Sequence, residues 1–474
     1  MGLQCPDPGG GTIYPFQPDR ILAPIAKCRL GKKFTSQRLL PMTRHPKILA
    51  LTILLLLACT LHAQENLRID ANRLEATLMQ LATYGRDADG QPNRVAFSDG
   101  DLAGREYVRG LMREAGLTVR TDAAGNLIGT RPGTEPGLKP LAMGSHIDMV
   151  PNGGNYDGCV GSLAAIEVAR TLHENNRLTR HPLEVIVFSN EEGGVMGSRA
   201  MVGELSPGAL AVANSTGYTM GEGIQRLGGD TLRLDEARRE KGSLAAFLEL
   251  HIEQGGILDR EGEDIGIVEG IVGLNWWDVT VRGMANHAGT TPMDLRRDAL
   301  LAAARFIQAV NEEALAMDGQ QVATVGRIRA YPGAPNVIPG RVVLSLEIRD
   351  LSTDVIQELY RKIRDRAIGI AASSGTSFEF EALDTTGKPA LTAPAIQQAI
   401  SGAAGQLGLS SRKMRSGAGH DAQDIALIAP VGMIFVPSQG GISHSPDEFT
   451  SAADMANGAN VLMHTLLKLD QQDN

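Results

Sequence analysis

The chain has 474 residues, which is too long for one typical domain of about 150 residues, so two or more structural units are expected. Apolar residues make up 43% and charged residues 21%, an ordinary soluble composition that excludes disordered, collagen-like and coiled-coil classes. Residues 1–63 hold eight Lys or Arg and two Asp, whereas the remainder holds 37 bases and 52 acids, a net charge of −15. We therefore expect no nucleic-acid partner and no anionic lipid surface as partner.

The first 63 residues have the features of an export leader. Their only long apolar run, ILALTILLLLA at 48–58, has 11 residues, whereas a membrane span needs about 20, so no membrane span is expected. Basic residues precede the run and Leu61-His62-Ala63 follows it, the order of a signal peptide cleaved after Ala63. We expect residues 1–41 to be untranslated or disordered and 42–63 to be the signal peptide. The mature protein would then be periplasmic or secreted.

The cysteines support this interpretation and leave one alternative. Cys5, Cys28 and Cys59 all lie in the leader, so the mature chain keeps Cys159 alone and forms no internal disulfide. Cys59 follows Leu56-Leu57-Ala58, which resembles a lipoprotein box. Lipid anchoring through Cys59 is therefore the alternative to free release.

The mature chain begins with an α/β pattern. Short, strongly apolar runs between helical stretches are typical of buried parallel strands, and they indicate a mixed sheet covered by helices. In chain order we predict helices at 66–84 and 103–115, strands at 117–120, 126–130 and 140–143, a helix at 162–172 and a strand at 183–189.

The pattern of predicted helices and strands changes near residue 273. Its predicted elements are a strand at 277–281, a helix at 297–315, strands at 323–330 and 341–350, a helix at 355–371 and a strand at 377–382. This β-α-β-β-α-β order closes as a ferredoxin-like sheet of four strands with two helices on one face. We predict an inserted domain at 273–385 between catalytic segments 64–272 and 386–474. The last segment contains predicted elements at 394–407, 431–436 and 453–467.

Residues suited to metal chemistry follow the predicted strands. In GSHIDMVPNGGNYDG, His146 and Asp157 bracket a loop directly after an apolar strand, and loops at the carboxyl ends of parallel strands bind ligands in α/β proteins. Asp148 stands two residues past His146, well placed to accept the second ring N–H and fix the tautomer. The alternative is a solvated turn that happens to contain these residues.

The segment FSNEEGG ends another strand with Glu191 and Glu192. Consecutive extended residues point to opposite sides, so one carboxylate can ligate a metal while the other faces a water as general base. A solvated acidic turn is again the alternative. Four more histidines, in LELHIEQGG, ANHAGTTPM, SGAGHDA and GISHSPDEF, stand in loop-like, Gly-flanked settings that are improbable for core or surface filler: His251, His287, His420 and His444.

The ordered run of motifs resembles a known family. The motifs are GSHIDMVPNGGNYDG, NEEGG, LHIEQG, ANHAGTTPM, PNVIPG, LEIRD, SGAGHDA and GISHSPDE. Together they resemble the hydantoinase/carbamoylase branch of the dimetal aminoacylase and carboxypeptidase-G-like amidohydrolases. This branch contains N-carbamoyl-L-amino-acid hydrolases, β-ureidopropionases and allantoate amidohydrolases, and the resemblance covers nearly all of residues 66–468.

The resemblance implies a mixed-sheet aminopeptidase-like catalytic domain with an inserted dimerisation or lid domain, and two divalent metal ions per subunit. Asp157 would bridge the metals, with His146 and His251 completing one of them, and Glu192 and His444 the other. Glu191 would be the general base that takes a proton from the water and hands it to the leaving nitrogen. Zinc suits these ligands, although manganese, cobalt or nickel also accept them.

It also implies the residues that meet the substrate. His287 would reach across a homodimer to stabilise the oxyanion in the partner's site. Asn336 and Arg349 resemble the anchors of the substrate carboxylate, which suits the planar fork of arginine. His420 resembles a further substrate-pocket residue. The expected substrate is a small N-carbamoyl or N-acyl amino acid.

Two positions qualify this expectation. Leu274 stands where allantoate-type members carry Gln, which disfavours a second ureido group and favours an apolar substrate side chain against Trp276 or Trp277. Cys159, two residues after Asp157, is better explained by packing than by nucleophilic chemistry.

Other functions remain open at the level of sequence. A periplasmic dimetal dipeptidase or aminoacylase uses the same machinery, and an allantoate amidohydrolase is a further alternative. A non-catalytic binding protein would require loss of a ligand or of the base, and all of these residues are present.

Overall fold

The structure, a computed structural model, describes residues 67–383 and 387–472. From Arg68 onward the described residues belong to one compact unit. The predicted signal peptide, its cleavage after Ala63 and the role of Cys59 lie outside the described residues and stay predictions. In the part of the chain that the structure describes, no helix combines the length and the apolar character needed to cross a bilayer.

Polar side chains set the starts of several helices. Asp70 and Ser98 each accept a hydrogen bond from a backbone N–H three residues ahead, which satisfies a donor that the first helical turn leaves free. The helices are α1 Ala71–Leu81, α2 Asp99–Glu114, α3 Cys159–Glu174, α4 Met196–Val202, α5 Met220–Arg226, α6 Ile257–Glu261, α7 Ala299–Ala316, α8 Thr353–Ser374, α9 Pro394–Leu407, α10 Asp421–Ile425 and α11 Ala452–Asp470.

The strands form two larger sheets and a two-stranded ribbon. They are β1 Thr118–Thr121, β2 Leu127–Arg131, β3 Leu141–Ser145, β4 Leu183–Val187, β5 Ala246–Ile252, β6 Ile265–Ile271, β7 Gly273–Arg282, β8 Asn286–His287, β9 Val322–Thr324, β10 Ile328–Tyr331, β11 Val337–Ile338, β12 Arg341–Asp350, β13 Ser377–Ala382, β14 Ala390–Leu391, β15 Ser411–Ser416 and β16 Val431–Val436.

The main sheet is mixed and has the order β1-β2-β4-β3-β5-β16-β6-β14, with β15 paired beside β6. Its central strands β4, β3, β5 and β16 run parallel to one another. Every residue of β3, β5 and β16 is buried, as expected for strands covered on both faces. The carboxyl ends of these four strands therefore meet along one edge, and the candidate ligands follow them there.

The second sheet has the order β10-β12-β7-β13, and β9 also pairs with β12. Helices α7 and α8 pack on it, and their apolar faces enclose a core around Phe306, Leu344 and Leu359. The element order is the predicted β-α-β-β-α-β order except that one predicted strand is divided into two, so the sheet has five strands. The mixed α/β fold class is confirmed. The proposed domain boundaries at residues 273 and 385 stay a prediction.

One predicted strand is wrong. Residues 323–330 do not form a single strand but two, β9 and β10, both paired with β12. Between Thr324 and Ile328 this chain advances four residues while the partner strand advances three, from Glu347 to Leu344. The extra residue interrupts the ladder as a bulge does, which hydrophobic periodicity does not reveal.

Candidate metal centre

Two histidines lie at the carboxyl ends of neighbouring parallel strands with fixed orientations. His146 Nδ1 lies 3.0 Å from the main-chain oxygen of Asp148, and His251 Nδ1 lies 3.0 Å from that of Ile252. A ring that donates from Nδ1 keeps a lone pair on Nε2, which is the form that ligates metals. The two Nε2 atoms lie 3.6 and 3.2 Å from one oxygen, Asp157 Oδ1.

A tight backbone turn delivers Asp157 to this point. Gly158, the residue before α3, has φ 64°, a conformation that favours glycine. A Cβ atom there would lie 2.3 Å from the His146 ring, so no larger residue fits. The Asp157 side chain is consequently held between the two imidazoles, and it is 3% exposed.

A second group of ligands uses the other oxygen of the same carboxylate. His444 Nε2 lies 3.4 Å from Asp157 Oδ2 and 3.5 Å from Glu192 Oε2. In each triplet, His146–Asp157–His251 and Asp157–Glu192–His444, the candidate ligand atoms lie within 4.8 Å of one another. The structure thus brings together all five predicted ligands, with Asp157 common to both groups.

The electrostatics of these groups favour a bound cation. Burial and the neighbouring Asp157 raise the pKa of Glu192 to about 7, and a hydrogen bond to Asp157 helps to raise the pKa of His444 to about 9. Burial alone would raise the pKa of Asp157, but the facing imidazoles hold it well below its usual range. Buried Glu192 Oε1 has no hydrogen-bond partner among the described residues. Imidazole nitrogens and carboxylate oxygens so placed fit divalent metal ions.

Glu191 lies beside the first group of ligands. Its Oε2 lies 3.7 Å from His146 Nε2. Burial, with the nearby carboxylates of Asp421 and Glu192, raises the pKa of Glu191 well above its usual range. A carboxylate with a raised pKa next to the ligands can both take and release a proton.

Asp148 has a different contact from the one expected. Its carboxylate accepts the backbone N–H groups of Glu191 and Glu192, each at 3.2 Å. The His146 ring is 3.9 Å from that carboxylate and bonds the Asp148 main-chain oxygen instead. Asp148 therefore orients the two glutamates directly, and it fixes the histidine through its backbone.

Comparisons with known proteins agree with this geometry. The sequence model of peptidase family M20/M25/M40 matches residues 142–468. An N-carbamoyl-L-amino acid amidohydrolase of Geobacillus stearothermophilus is 44% identical over 408 residues, which cover 85% of this chain and 99% of the relative. The chain belongs to peptidase family M20/M25/M40.

A further relative and a solved structure are also similar to this chain. An allantoate amidohydrolase of Bacillus subtilis is 36% identical over 399 residues, which cover 82% of this chain and 95% of the relative. The crystal structure of a hydantoinase/carbamoylase family amidase from Burkholderia multivorans superposes with a TM-score of 0.79 at 37% identity, covering 86% of this chain and 100% of that chain. The resemblance drawn from the sequence motifs is confirmed, and the chain is a hydrolase of the M20 family.

The predicted substrate residues of this M20 enzyme lie in two places. His287 is exposed on β8, which pairs with β11, and the Asn336 main-chain oxygen accepts the Ala288 N–H at 3.0 Å. Arg349, on β12, donates hydrogen bonds to the Glu347 carboxylate at 2.7 Å and to the Gly417 main-chain oxygen at 2.6 Å. Arg349 therefore links the second sheet to the loop that precedes His420.

His420 is buried against the candidate ligand His251 and is not in an open pocket. Its ring packs edge-on against His251 with centroids 4.5 Å apart, and its Nε2 lies 2.7 Å from the Ser416 hydroxyl. Burial keeps the pKa of His420 well below its usual range, so the ring is neutral. Contact with His251 shows a packing role, and the substrate-binding role of His420 stays a prediction.

Three further side chains correct or refine the sequence analysis. Trp277 is buried and stacks on Tyr360 at 4.2 Å in the core of the second sheet, and Trp276 donates to Glu347. These contacts occupy both tryptophans within the second sheet. Cys159 is fully buried and its sulfur accepts a hydrogen bond from Arg94 at 3.0 Å; burial raises the pKa of its thiol, which supports the packing role.

Glu448 is a functional residue that the sequence analysis missed. Its Oε1 accepts the backbone N–H groups of Tyr156 and Asp157 at 2.8 and 3.0 Å, and its Oε2 accepts the Ser443 hydroxyl at 3.0 Å. Gly154 leaves the space, because a Cβ there would lie 1.9 Å from Glu448 Oε1. Glu448 thus joins the Asp157 loop to the His444 loop. Its position four residues after His444 in the same motif is the signal that could have identified it.

We predict that Glu448→Gln weakens metal binding. The amide can accept at only one of its two positions, so one of the two loops loses its support. Partners of this kind typically contribute 10–100-fold to metal affinity. Titration of the metal-free variant with Zn²⁺ measures the effect, with Asp447→Asn, an exposed neighbouring acid, as the matched control. Equal affinity in both variants would show that Glu448 does not support the ligands.

Proposed function

We propose that this chain is an exported dimetal amidohydrolase that cleaves the C–N bond of N-carbamoyl, or related N-acyl, L-amino acids with a metal-activated water. The observation that carries the proposal is one buried carboxylate, Asp157, shared by two groups of ligands, with the Glu191 carboxylate beside them. Its relatives are named as N-carbamoyl-L-amino acid amidohydrolases, which agrees with hydrolysis of a non-peptide C–N bond.

The chain's own residues supply the proton transfers. When bound by the five ligands, two divalent ions would polarise the scissile carbonyl and acidify a water. Glu191, whose Oε2 lies 3.7 Å from His146 Nε2, would take a proton from that water and pass it to the departing nitrogen. The water oxygen ends on the carbonyl carbon, and the amino acid leaves with the proton.

A homodimer would complete the site. His287 Nδ1 accepts the backbone N–H groups of Gly289 and Thr290 at 3.0 and 3.3 Å, so its proton is on Nε2, which is free to donate. The ring is exposed, and within the described residues it contacts none of the five ligands. This supports action on the carbonyl oxygen of a partner's substrate.

The substrate carboxylate would bind Arg349. Asn336, in the preceding motif PNVIPG, would be the second anchor. Glu347 and Gly417 use three of the five N–H groups of Arg349, which leaves two to donate to a carboxylate. Leu274 pairs directly across from Arg349, so an apolar side chain borders this anchor. That arrangement supports an apolar amino acid over allantoate as substrate.

The first prediction from the proposed function concerns the base. Glu191→Gln keeps the shape of the side chain but removes proton transfer, which is typically worth 10²–10⁴ in rate. We expect retained metal content with turnover lowered by at least that range, measured by elemental analysis and by release of free amino acid. A variant that loses metal yet regains normal turnover after reloading would instead make Glu191 a ligand.

The second prediction concerns His287 in trans. His287→Ala and Glu191→Gln should each be nearly inactive alone. After subunit exchange, a mixed dimer contains one site with both residues intact, so partial activity should return. A monomeric protein with full activity would contradict the proposal.

The third prediction concerns the carboxylate anchor. A charge-assisted hydrogen bond contributes about 1.5–3 kcal/mol, so Arg349→Ala should lower kcat/KM on free acids by roughly 10–150-fold. Substrates with an amidated carboxylate should be poor for the wild type and indifferent to the change. Arg327→Ala, in an ion pair on the same sheet, is the control. Equal cleavage of amidated and free acids would favour a broader peptidase.

The fourth prediction concerns export. Expressed from Met42 in a bacterial host, the protein should be recovered from the periplasm with Gln64 as its first residue. Leu55→Arg should keep it in the cytoplasm, because a charge interrupts the apolar run. If the protein is instead recovered in the membrane fraction, and Cys59→Ser moves it to the soluble fraction, the lipoprotein alternative is established.

A further inference from the structure

A buried arginine lies against the loops that carry two of the candidate ligands. Arg94 belongs to the segment between helices α1 and α2, and it is 0% exposed. A buried charged group is costly unless hydrogen bonds satisfy it. The hydrogen bonds of Arg94 therefore show which parts of the chain this side chain holds in place.

Arg94 bonds the segment that follows His146. Its Nε donates to the main-chain oxygen of Ile147 at 2.8 Å, and its own main-chain oxygen accepts the N–H of Met149 at 3.1 Å. These two residues flank Asp148, whose main-chain oxygen orients the His146 ring. Arg94 therefore fixes the backbone that aims the first candidate ligand.

The same guanidinium reaches the segment that follows Asp157. Its Nη2 donates to Cys159 Sγ at 3.0 Å, and that thiol donates to the Ile147 main-chain oxygen at 3.7 Å. Cys159 is the first residue of helix α3, directly after the glycine turn that delivers Asp157. One side chain consequently joins the loop of His146 to the loop of Asp157.

The remaining hydrogen bonds of Arg94 hold the segment at the end of helix α1. Its Nη1 donates to the main-chain oxygens of Leu81 and Tyr84 at 2.9 and 3.2 Å. The four acceptors of the side chain among the described residues are all uncharged, so the planar fork of the guanidinium, and not an ion pair, decides what Arg94 binds. A lysine ammonium is a single point and does not reproduce that fork.

We propose that Arg94, together with Cys159, positions the metal centre: it fixes the placement of His146 relative to Asp157, and thereby the affinity of the first ligand group for its ion. This rests on the proposed function, in which the five ligands bind metal. Arg94 lies before residue 142, where the match to the family model begins. A residue upstream of the matched segment therefore supports the ligands within it.

The test changes the thiol, because this removes a single heavy atom and leaves the arginine in place. Cys159→Ala takes away one acceptor of Arg94, whereas Cys159→Ser supplies a hydroxyl instead. Groups that orient metal ligands typically contribute roughly 10–100-fold to affinity. We expect Cys159→Ala to bind Co²⁺ at least about tenfold more weakly than the wild type, and Cys159→Ser to recover most of that loss. Titration of the metal-free proteins, followed by the visible absorption of Co²⁺, measures both affinity and ligand geometry.

Two further variants separate positioning from packing. Val168→Ala removes volume from the buried face of the same helix, further from the ligands. It should lower Tm and leave the affinity and the absorption spectrum of Co²⁺ unchanged. Arg94→Lys keeps the charge and loses the fork, so it should weaken Co²⁺ binding and shift the spectrum in protein that circular dichroism shows to be folded.

The outcomes distinguish this inference from the proposed function. If the wild type binds Co²⁺ and Cys159→Ala binds it with the same affinity and spectrum, Arg94 and Cys159 do not position the ligands. If Val168→Ala weakens binding as much as Cys159→Ala does, or Cys159→Ser recovers nothing, the effect is one of packing and the inference is wrong. If the wild type binds no divalent metal ion, the proposed function itself fails.

Discussion

The rest of the site depends on the interaction of the Asp157 carboxylate with three histidines. The carboxylate lies between the imidazoles of His146 and His251 on one oxygen and that of His444 on the other. Such a buried anion is unstable unless positive charge surrounds it. The Gln254 amide and the Ser443 hydroxyl also donate hydrogen bonds to its Oδ2, and the turn at Gly158 puts the residue in place.

The sheet explains how residues far apart in sequence meet at that carboxylate. Four parallel strands end along one edge, so each need contribute only one or two ligands, either at its end or in the loop that follows it. Three of these strands, β3, β5 and β16, are buried along their whole length, and a close-packed core fixes the strand ends. A site built on such strand ends can be held to the tolerance that catalysis requires, while the exposed ribbon of β8 and β11 carries His287 outside the core.

Much of this could be predicted from the sequence because the signals are local. Strands β12, β13 and β16 and helix α9 have the bounds that their hydrophobic patterns predict, and the five ligands follow strands or stand between glycines. Contacts made by tertiary packing could not be predicted. Periodicity does not show that Trp277 stacks on Tyr360, that His420 lies beneath His251, or that the carbonyl of Asp148 bonds the ring of His146.

Strand β16 lies between β5 and β6, yet it follows the whole second sheet in the chain. His444, Ser443 and Glu448 come after it. A ribosome must therefore finish almost the entire polypeptide before the candidate ligands can come together. A nascent or prematurely terminated chain that stops before residue 431 lacks a central strand, a candidate ligand and the residue that joins the two ligand loops, so it cannot assemble this site.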